Sequence, residues 1–445
     1  MLLIPGLLFA GACGDSSDPA TPDAMTDAPP TVVDGRPACD TEVPGNICTI
    51  VGNGENGYDR NADDIAYPAL EAKLSLPQDT LTAPDGTLFV LDWNNHRVRK
   101  LGDDGMLRWV AGRGELGGSL DDPANGDFNH PTNIIFDATG ENLMIAAWHN
   151  SKVRKINIAT GEVVDVAGNG ARTYFGDEGP ALTSSLDLPA SLAWAPNGDL
   201  VVMDQANQVL RTIDEDGIIH LMAGQCIIEK PAPCEEGEEP VACPDRPDGS
   251  PSGKVTCGDP TETCAGGPVS PCAGGYSGDL VTMADMRMTQ PIGQSAFPAG
   301  RMVYDPEGNL YFADSGNNLI RMIDTDGMVH RVAGQAPVDG APQGGYAGDG
   351  GPAIDATLNF PVDLALGDDG TLYFSDVFNH CVRAIDPDGM IRTVAGQCGE
   401  KGYAGDGGPA TEALLLRPFG IEVAYGRLNI ADSGNSVIRS VLLPQ

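Results

Sequence analysis

Positive charge is scarce in this chain: 26 Lys and Arg stand against 63 Asp and Glu, a formal charge of −37 over 445 residues. A surface that acidic repels phosphate backbones and anionic lipid heads, which makes nucleic acid a poor partner. Aromatic residues are few, at 6%, while Gly (58) and Pro (35) are plentiful. That mix disfavours helices and favours short strands joined by many turns. No apolar run is long enough to cross a bilayer. No Cys-x-x-Cys occurs, the six histidines form no ligand triad, and the Gly-rich loops lack the lysine of a phosphate-binding loop. No Ser/His/Asp or Cys/His arrangement stands out. The sequence therefore offers no catalytic residues and no metal site, and calcium is the one cofactor its acidic loops would admit.

The N-terminus reads as targeting sequence. Residues 2–12, LLIPGLLFAGA, are apolar and end in small residues before Cys13. They resemble a bacterial lipoprotein signal, which implies lipidation at Cys13, export to the cell envelope and membrane attachment through lipid alone. Residues 14–42, rich in Asp, Pro and Ala, cannot bury enough surface to offset chain entropy and read as a disordered tether. With Cys13 set aside, ten cysteines remain, an even number that argues for disulfides in an exported chain. Six fall in an insertion at about 225–285: Cys226, Cys234, Cys243, Cys257, Cys264 and Cys272; the others are Cys39, Cys48, Cys381 and Cys398. Spacing leaves their pairing open.

What organises the chain is a repeat. Asp-x-x-Asn-x-x-aliphatic-Arg occurs at Asp92/Asn95/Val98/Arg99, Asp204/Asn207/Leu210/Arg211, Asp314/Asn317/Ile320/Arg321, Asp376/Asn379/Val382/Arg383 and Asp432/Asn435/Ile438/Arg439. A sixth copy keeps Asn150, Val153 and Arg154 but has Ala147 in place of Asp. Around the fifth copy, VDLAL, TLYFSD, CVRAID and MIRTVAG are four strand-like runs, separated by Asp369-Gly370, a turn at Asn379, and Asp388-Gly389. That is a four-stranded antiparallel meander, the unit of a propeller blade. Fourth strands end in Val-Ala-Gly or a close variant, and a Pro-Ala pair precedes the proline that opens most first strands; before Pro291 only Ala284 of the pair remains. The last copy stops after three strands, and ICTIVGNG at 47–54 is an orphan fourth strand. The expected fold is all-β: a six-bladed β-propeller over 43–445, closed by an N-terminal strand that completes the last blade.

The Asp-x-x-Asn-x-x-aliphatic-Arg core with its Val-Ala-Gly strand ends resembles the NHL repeat. The segments YAGDGGPA at 346–353 and 403–410 resemble linkers of bacterial NHL proteins and of the teneurin NHL domain. The resemblance covers about 43–445 apart from the insertion. It implies a binding platform and leaves the ligand, protein or glycan, unspecified.

Antiparallel order puts the second-to-third turns, the blade-to-blade connections and the insertion on one face. Departures from the repeat there are the candidate binding residues: Trp93 with His96, Trp148 with His149, and the Tyr-x-Gly-Asp loops at Tyr174/Asp177, Tyr346/Asp349 and Tyr403/Asp406. The repeated Asp, Asn and Arg read as scaffold, with Asp and Arg pairing across the second hairpin. A non-enzymatic envelope scaffold is the leading function. The alternative is a metal-dependent lyase- or lactonase-like enzyme at the axis, drawing on Asn133, Asp363 and Glu422. A third reading makes the insertion the working module and the propeller its mount.

Overall fold

The computed structural model describes residues 39–444 apart from 59–65, 115–116, 118–125, 229–271 and 294; outside these it places the backbone of four short strands, at 32–33, 36–37, 240–242 and 255–257. Expectations for the signal, for Cys13 and for Cys234, Cys243, Cys257 and Cys264 lie outside the described residues.

Among the described residues there is no α-helix, and six antiparallel sheets form a ring. We number these blades 1 to 6 in chain order. In blade 5 the strands are Pro361–Leu366, Leu372–Asp376, Cys381–Ile385 and Ile391–Ala395, paired in sequence order. Two-residue strands (Tyr67–Pro68, Gly179–Pro180 and Val281–Thr282) add a fifth member to blades 1, 3 and 4. Six apolar clusters fill the seams between neighbouring blades, the last joining blade 6 to blade 1 through Val51, Leu74, Val90, Ala431 and Ile438. Blade 6 consists of Pro418–Ala424, Arg427–Asp432, Val437–Leu442 and, outermost, the N-terminal strand Ile47–Val51. Ring closure thus occurs as the orphan strand predicts.

The repeat is scaffold in every blade. Asp314 Oδ1 accepts the backbone N–H of Thr289, and its Oδ2 receives the Asn317 amide at 2.9 Å and Arg321 at 3.3 Å. The same triangle holds around Asp92, Asp204, Asp376 and Asp432. A buried guanidinium is tolerable only when paired and hydrogen-bonded, and Arg211, Arg321, Arg383 and Arg439 are fully buried. Blade 2 shows how Ala147 is accommodated. Asn150 Oδ1 accepts the Asn129 N–H that the missing Asp would have taken, and Asp165, on the fourth strand, pairs with Arg154 at 2.8 Å.

Two sequence markers acquire reasons. The Gly of Val-Ala-Gly has φ of 85–96° in all six blades, and a Cβ there would lie 2.2–2.8 Å from the carbonyl oxygen of the residue after the repeated Asn. Only glycine meets both demands. The Ala of Pro-Ala ties blades together at the rim: Ala181 accepts from Gly168 of blade 2 and donates to Gly217 of blade 3. Ala353 and Ala410 repeat this, and Ala69 does so across the closure. In blade 4 the role falls to Met283, which accepts from Gly224 and donates to Gly327. Ala284 is therefore not the counterpart. Sequence comparison misses the true one because only backbone groups are needed there.

Disulfides join Cys39–Cys48, Cys226–Cys272 and Cys381–Cys398. The first ties residues 39–42 to the closing strand, and Arg427 of blade 6 donates to the Thr41 carbonyl at 2.8 Å, so 39–42, expected as the end of the tether, pack on the propeller. The second closes the base of the insertion, where Ile227–Ile228 pairs with Cys272–Ala273 beside Asn207 of blade 3.

Candidate functional site

The first strands line the axis, and their inward residues decide whether it can hold a metal. Arg301, 1% exposed, lies there. Its Nη1 is 2.9 Å from Asp79 Oδ1 and 2.6 Å from Asp363 Oδ2, and its Nη2 donates to the carbonyls of Gln78 and Thr132. Asn133 donates to Asp79 at 2.9 Å and accepts from the Leu192 N–H. Burial pushes Asp79 up to about 7, with Arg301 opposing and Asp363 adding to the rise. Of the enzyme candidates, Asp363 and Asn133 are thus committed to a guanidinium-centred plug, and Glu422 holds Thr82 and Asn429 to one side. A fixed cation occupies the place a metal would need, so this donor set does not fit a catalytic dication.

Above the plug, on the face of the second-to-third turns, a pocket of about 350 Å³ opens at the axis. Its aromatic lining is Trp93, Phe297 and Phe419, and its cations are Arg417 and Lys401. Phe297 arrives on residues 292–300, between Pro291 and the strand Met302–Tyr304. That segment is anchored by Gln205, whose amide donates to the carbonyls of Pro291 and Phe297 and whose Oε1 accepts from Ala299 N–H and Trp148 Nε1. Phe360 and Phe378 stack at 4.7 Å behind Phe297, and the Arg417 guanidinium carbon lies 5.8 Å from the Phe297 ring centre. His380 accepts the Arg417 N–H; burial, then the charges of Arg417 and Lys401, hold its pKa below the usual histidine value. Leu76 and Arg417 precede the repeat prolines with φ of 50°, a left-handed turn that His130, Leu188 and Phe360 share at the same place in other blades, so it belongs to the scaffold.

The candidates around the two tryptophans converge. Trp93 and Trp148 are 6.2 Å apart, and His130, which the sequence reading passed over, lies between Trp93, His96 and His149. Trp148 is fully buried and His96 6% exposed, whereas Trp93 reaches the pocket. His96 Nδ1 accepts the His130 N–H, which requires a neutral His96. Burial lowers His96 to about 4 and His130 to about 2, with the charges of His96 and His149 adding to the latter. A depressed base is a stability statement. Below pH 6.5 the unfolded chain takes up protons that the folded chain refuses, so stability is lost as pH falls from 6.5 toward the folded values. For His130 alone the slope reaches about 1.4 kcal/mol per pH unit. His130→Asn keeps the backbone N–H and tolerates the left-handed φ of 56°. It is expected to melt less steeply with acid than the wild type, and parallel melting curves from pH 6.5 to 4.5 would refute the assignment.

The Tyr-x-Gly-Asp loops present carboxylates that are already engaged. Asp177 pairs with Arg211 at 2.6 Å, Asp349 with Arg383 at 2.6 Å and Asp406 with Arg439 at 2.7 Å, and each also accepts a hydroxyl from its own Tyr174, Tyr346 or Tyr403. Each guanidinium lies about 5 Å over the ring of that tyrosine, at 5.2, 5.1 and 5.4 Å. These donors are saturated by arginine and do not fit a calcium ion; no group of three or more His, Cys, Asp or Glu among the described residues is placed to hold a metal. On the opposite, hairpin face two open clefts of about 380 and 430 Å³ lie between blades 6 and 1 and between blades 3 and 4.

No family model matches the chain. Human teneurin-1 is 26% identical over 385 residues, 78% of this chain and 13% of teneurin-1. Arabidopsis thaliana Protein SUPPRESSOR OF QUENCHING 1, chloroplastic, is 24% identical over 343 residues, 75% of this chain and 27% of that protein. The chain thus spans between about an eighth and a quarter of the curated relatives it matches. Among solved structures, a protein of unknown function from Bacteroides thetaiotaomicron superposes with a TM-score of 0.56 at 18% identity, over 89% of this chain and 75% of that one. An auxiliary nutrient binding protein from the same organism gives 0.55 at 15%, over 88% and 75%. Taken with the repeat chemistry and the ring of six sheets, the chain is a six-bladed β-propeller of the NHL-repeat type.

Proposed function

We propose that this protein is a non-enzymatic binding scaffold of the cell envelope, held there by lipid at Cys13, whose loop face binds a protein or glycan ligand. One observation carries the reading. Where the carboxylates of the Tyr-x-Gly-Asp loops are spent on arginines, the axial pocket presents aromatic surface and two exposed cations, Arg417 and Lys401, that pair with no described carboxylate. Pockets of this size and mixed lining are the usual places for ligands. The disulfides among the described residues support an exported protein, and the fold shared with auxiliary nutrient binding proteins supports a binding role. The axial plug counts against the lyase- or lactonase-like alternative. Among the site candidates, Trp93 contacts the ligand, Trp148, His96 and His149 support it from beneath, and the Tyr-x-Gly-Asp pairs shape the surrounding rim.

The test is binding of fractionated envelope glycans and proteins to immobilised protein. Wild type is expected to retain one fraction, and a variant carrying Phe297→Asp and Arg417→Glu is expected to lose it while melting normally. Retention by the variant would move the function off this pocket, to the insertion or the hairpin clefts.

A further inference from the structure

The pocket is specific enough to name a ligand chemistry, on the reading that this face binds. Its lining residues include no Asp or Glu, in a chain with 63 of them. Arg417 and Lys401 are both exposed and neither pairs with a described carboxylate. Beneath them, Trp93, Phe297 and Phe419 present ring surface together with Leu76 and Leu416. Two buried polar atoms of the lining lack partners, the acceptor Gln78 Oε1 and the donor Trp93 Nε1, and Gln78 is only 3% exposed. Such groups are costly to leave unpaired, and their cost falls when a ligand supplies what they lack.

We propose that the axial pocket is a subsite for a carboxylated sugar residue at the end or branch of an acidic glycan. A sugar ring has apolar C–H faces that pack on aromatic rings, whose π-faces are electron-rich. Its hydroxyls both donate and accept, which suits Gln78 and Trp93 together. Its carboxylate suits Arg417 and Lys401, the guanidinium by a two-pronged contact. A plain hydrocarbon would leave Gln78 and Trp93 unpaired. Against the acidic remainder of the surface, the two cations are also the feature that would steer an anion to the axis.

Calorimetry and tryptophan fluorescence on the full chain, with glucuronate, glucose and a short acidic peptide as probes, test this. Glucuronate is expected to bind at least about tenfold more tightly than glucose, the worth of one charge-assisted contact, and to weaken as ionic strength rises. Arg417→Gln with Lys401→Gln is expected to reduce glucuronate to the level of glucose. Trp93→Phe, which keeps a ring but removes the donor, weakens both sugars alike. Equal binding of the two sugars, tighter binding of the peptide, or no binding of either sugar overturns the proposal. Where the sugars fail in one of these ways, envelope fractions that still bind the wild type and not the Phe297→Asp/Arg417→Glu variant mean that the ligand class is wrong and the binding face stands; if no fraction binds either, both are wrong.

Discussion

Replacing Arg301 with methionine is expected to destabilise the propeller by about 3–5 kcal/mol, as removal of one partner from a buried ionic cluster does. The guanidinium is the one positive charge set between Asp79 and Asp363, whose side chains are 4% and 7% exposed. Without it, two carboxylates face each other in a dry axis, and the carbonyls of Gln78 and Thr132 lose their donor. The pH dependence identifies the cause. Burial already raises Asp79 to about 7 against the pull of Arg301. In the variant that pull is gone and the pKa rises further. A carboxyl raised in the folded state contributes stability that is full below its unfolded value and lost as pH rises through the folded value. The deficit should therefore be largest at pH 8 and shrink toward pH 5. Adding Asp79→Asn and Asp363→Asn to the variant removes the stranded charges and should recover much of the loss at pH 8. Equal melting temperatures of wild type and Arg301→Met at pH 8 would show that the plug carries no load. Arg301 also holds the backbone of Gln78, whose side chain lines the pocket, so the variant is expected to weaken ligand binding even where it stays folded.

The plug and the pocket were the parts of the molecule least legible in the sequence. Periodicity identifies what every blade shares, because each blade must satisfy the same buried backbone groups and fill the same seam. Asp314, Asn317 and Arg321 could be read that way, and so could the closing strand. Arg301 could not. It has no counterpart in other blades, and the two aspartates it joins lie 62 and 222 positions away in the chain (363 − 301 and 301 − 79). Phe297 left one signal: the interval from the repeat proline to the first hairpin turn is twice as long in blade 4, Pro291 to Glu307, as in blade 1, Pro77 to Asp85. Extra residues at that point enter the chain over the axis. Leu76 and Arg417 left another, as members of the variable column just before the repeat proline. The Tyr-x-Gly-Asp loops were legible as a pattern, and their use was not. Their regular recurrence, the property that marks scaffold in the Asp and Arg positions, applied to them as well.

Removing residues 39–52 is expected to cost the protein its cooperative fold. Ile47, Cys48 and Val51 are fully buried, and burying Ile and Val side chains is worth roughly 1.5–3 kcal/mol each. The strand also supplies the ladder to Val437–Leu442, whose loss bares an apolar edge. The Thr49 hydroxyl donates to Asp406 at 2.7 Å and lies in hydrogen-bond contact with the Tyr403 hydroxyl at 2.9 Å, so the deletion disturbs the partners of Arg439 as well. These terms together are comparable to the whole stability of a domain, on the order of 5–15 kcal/mol. A deletion can fail for many reasons, and a circular permutant separates them. The Gly45 N–H donates to the Leu442 carbonyl at 2.8 Å, so the natural ends of the last blade already meet. A chain that begins at Asn53 and carries residues 39–52 after Leu443 through a short glycine linker restores every contact of the strand while moving it to the other end of the sequence. It should melt cooperatively near the wild-type temperature, where the deletion gives no sigmoidal transition and aggregates. Cooperative melting of the deletion within a few degrees of wild type would mean that five complete blades and a three-stranded sixth suffice. The seam between blades 6 and 1, rather than the hydrogen-bonded strand, would then be what closes the ring.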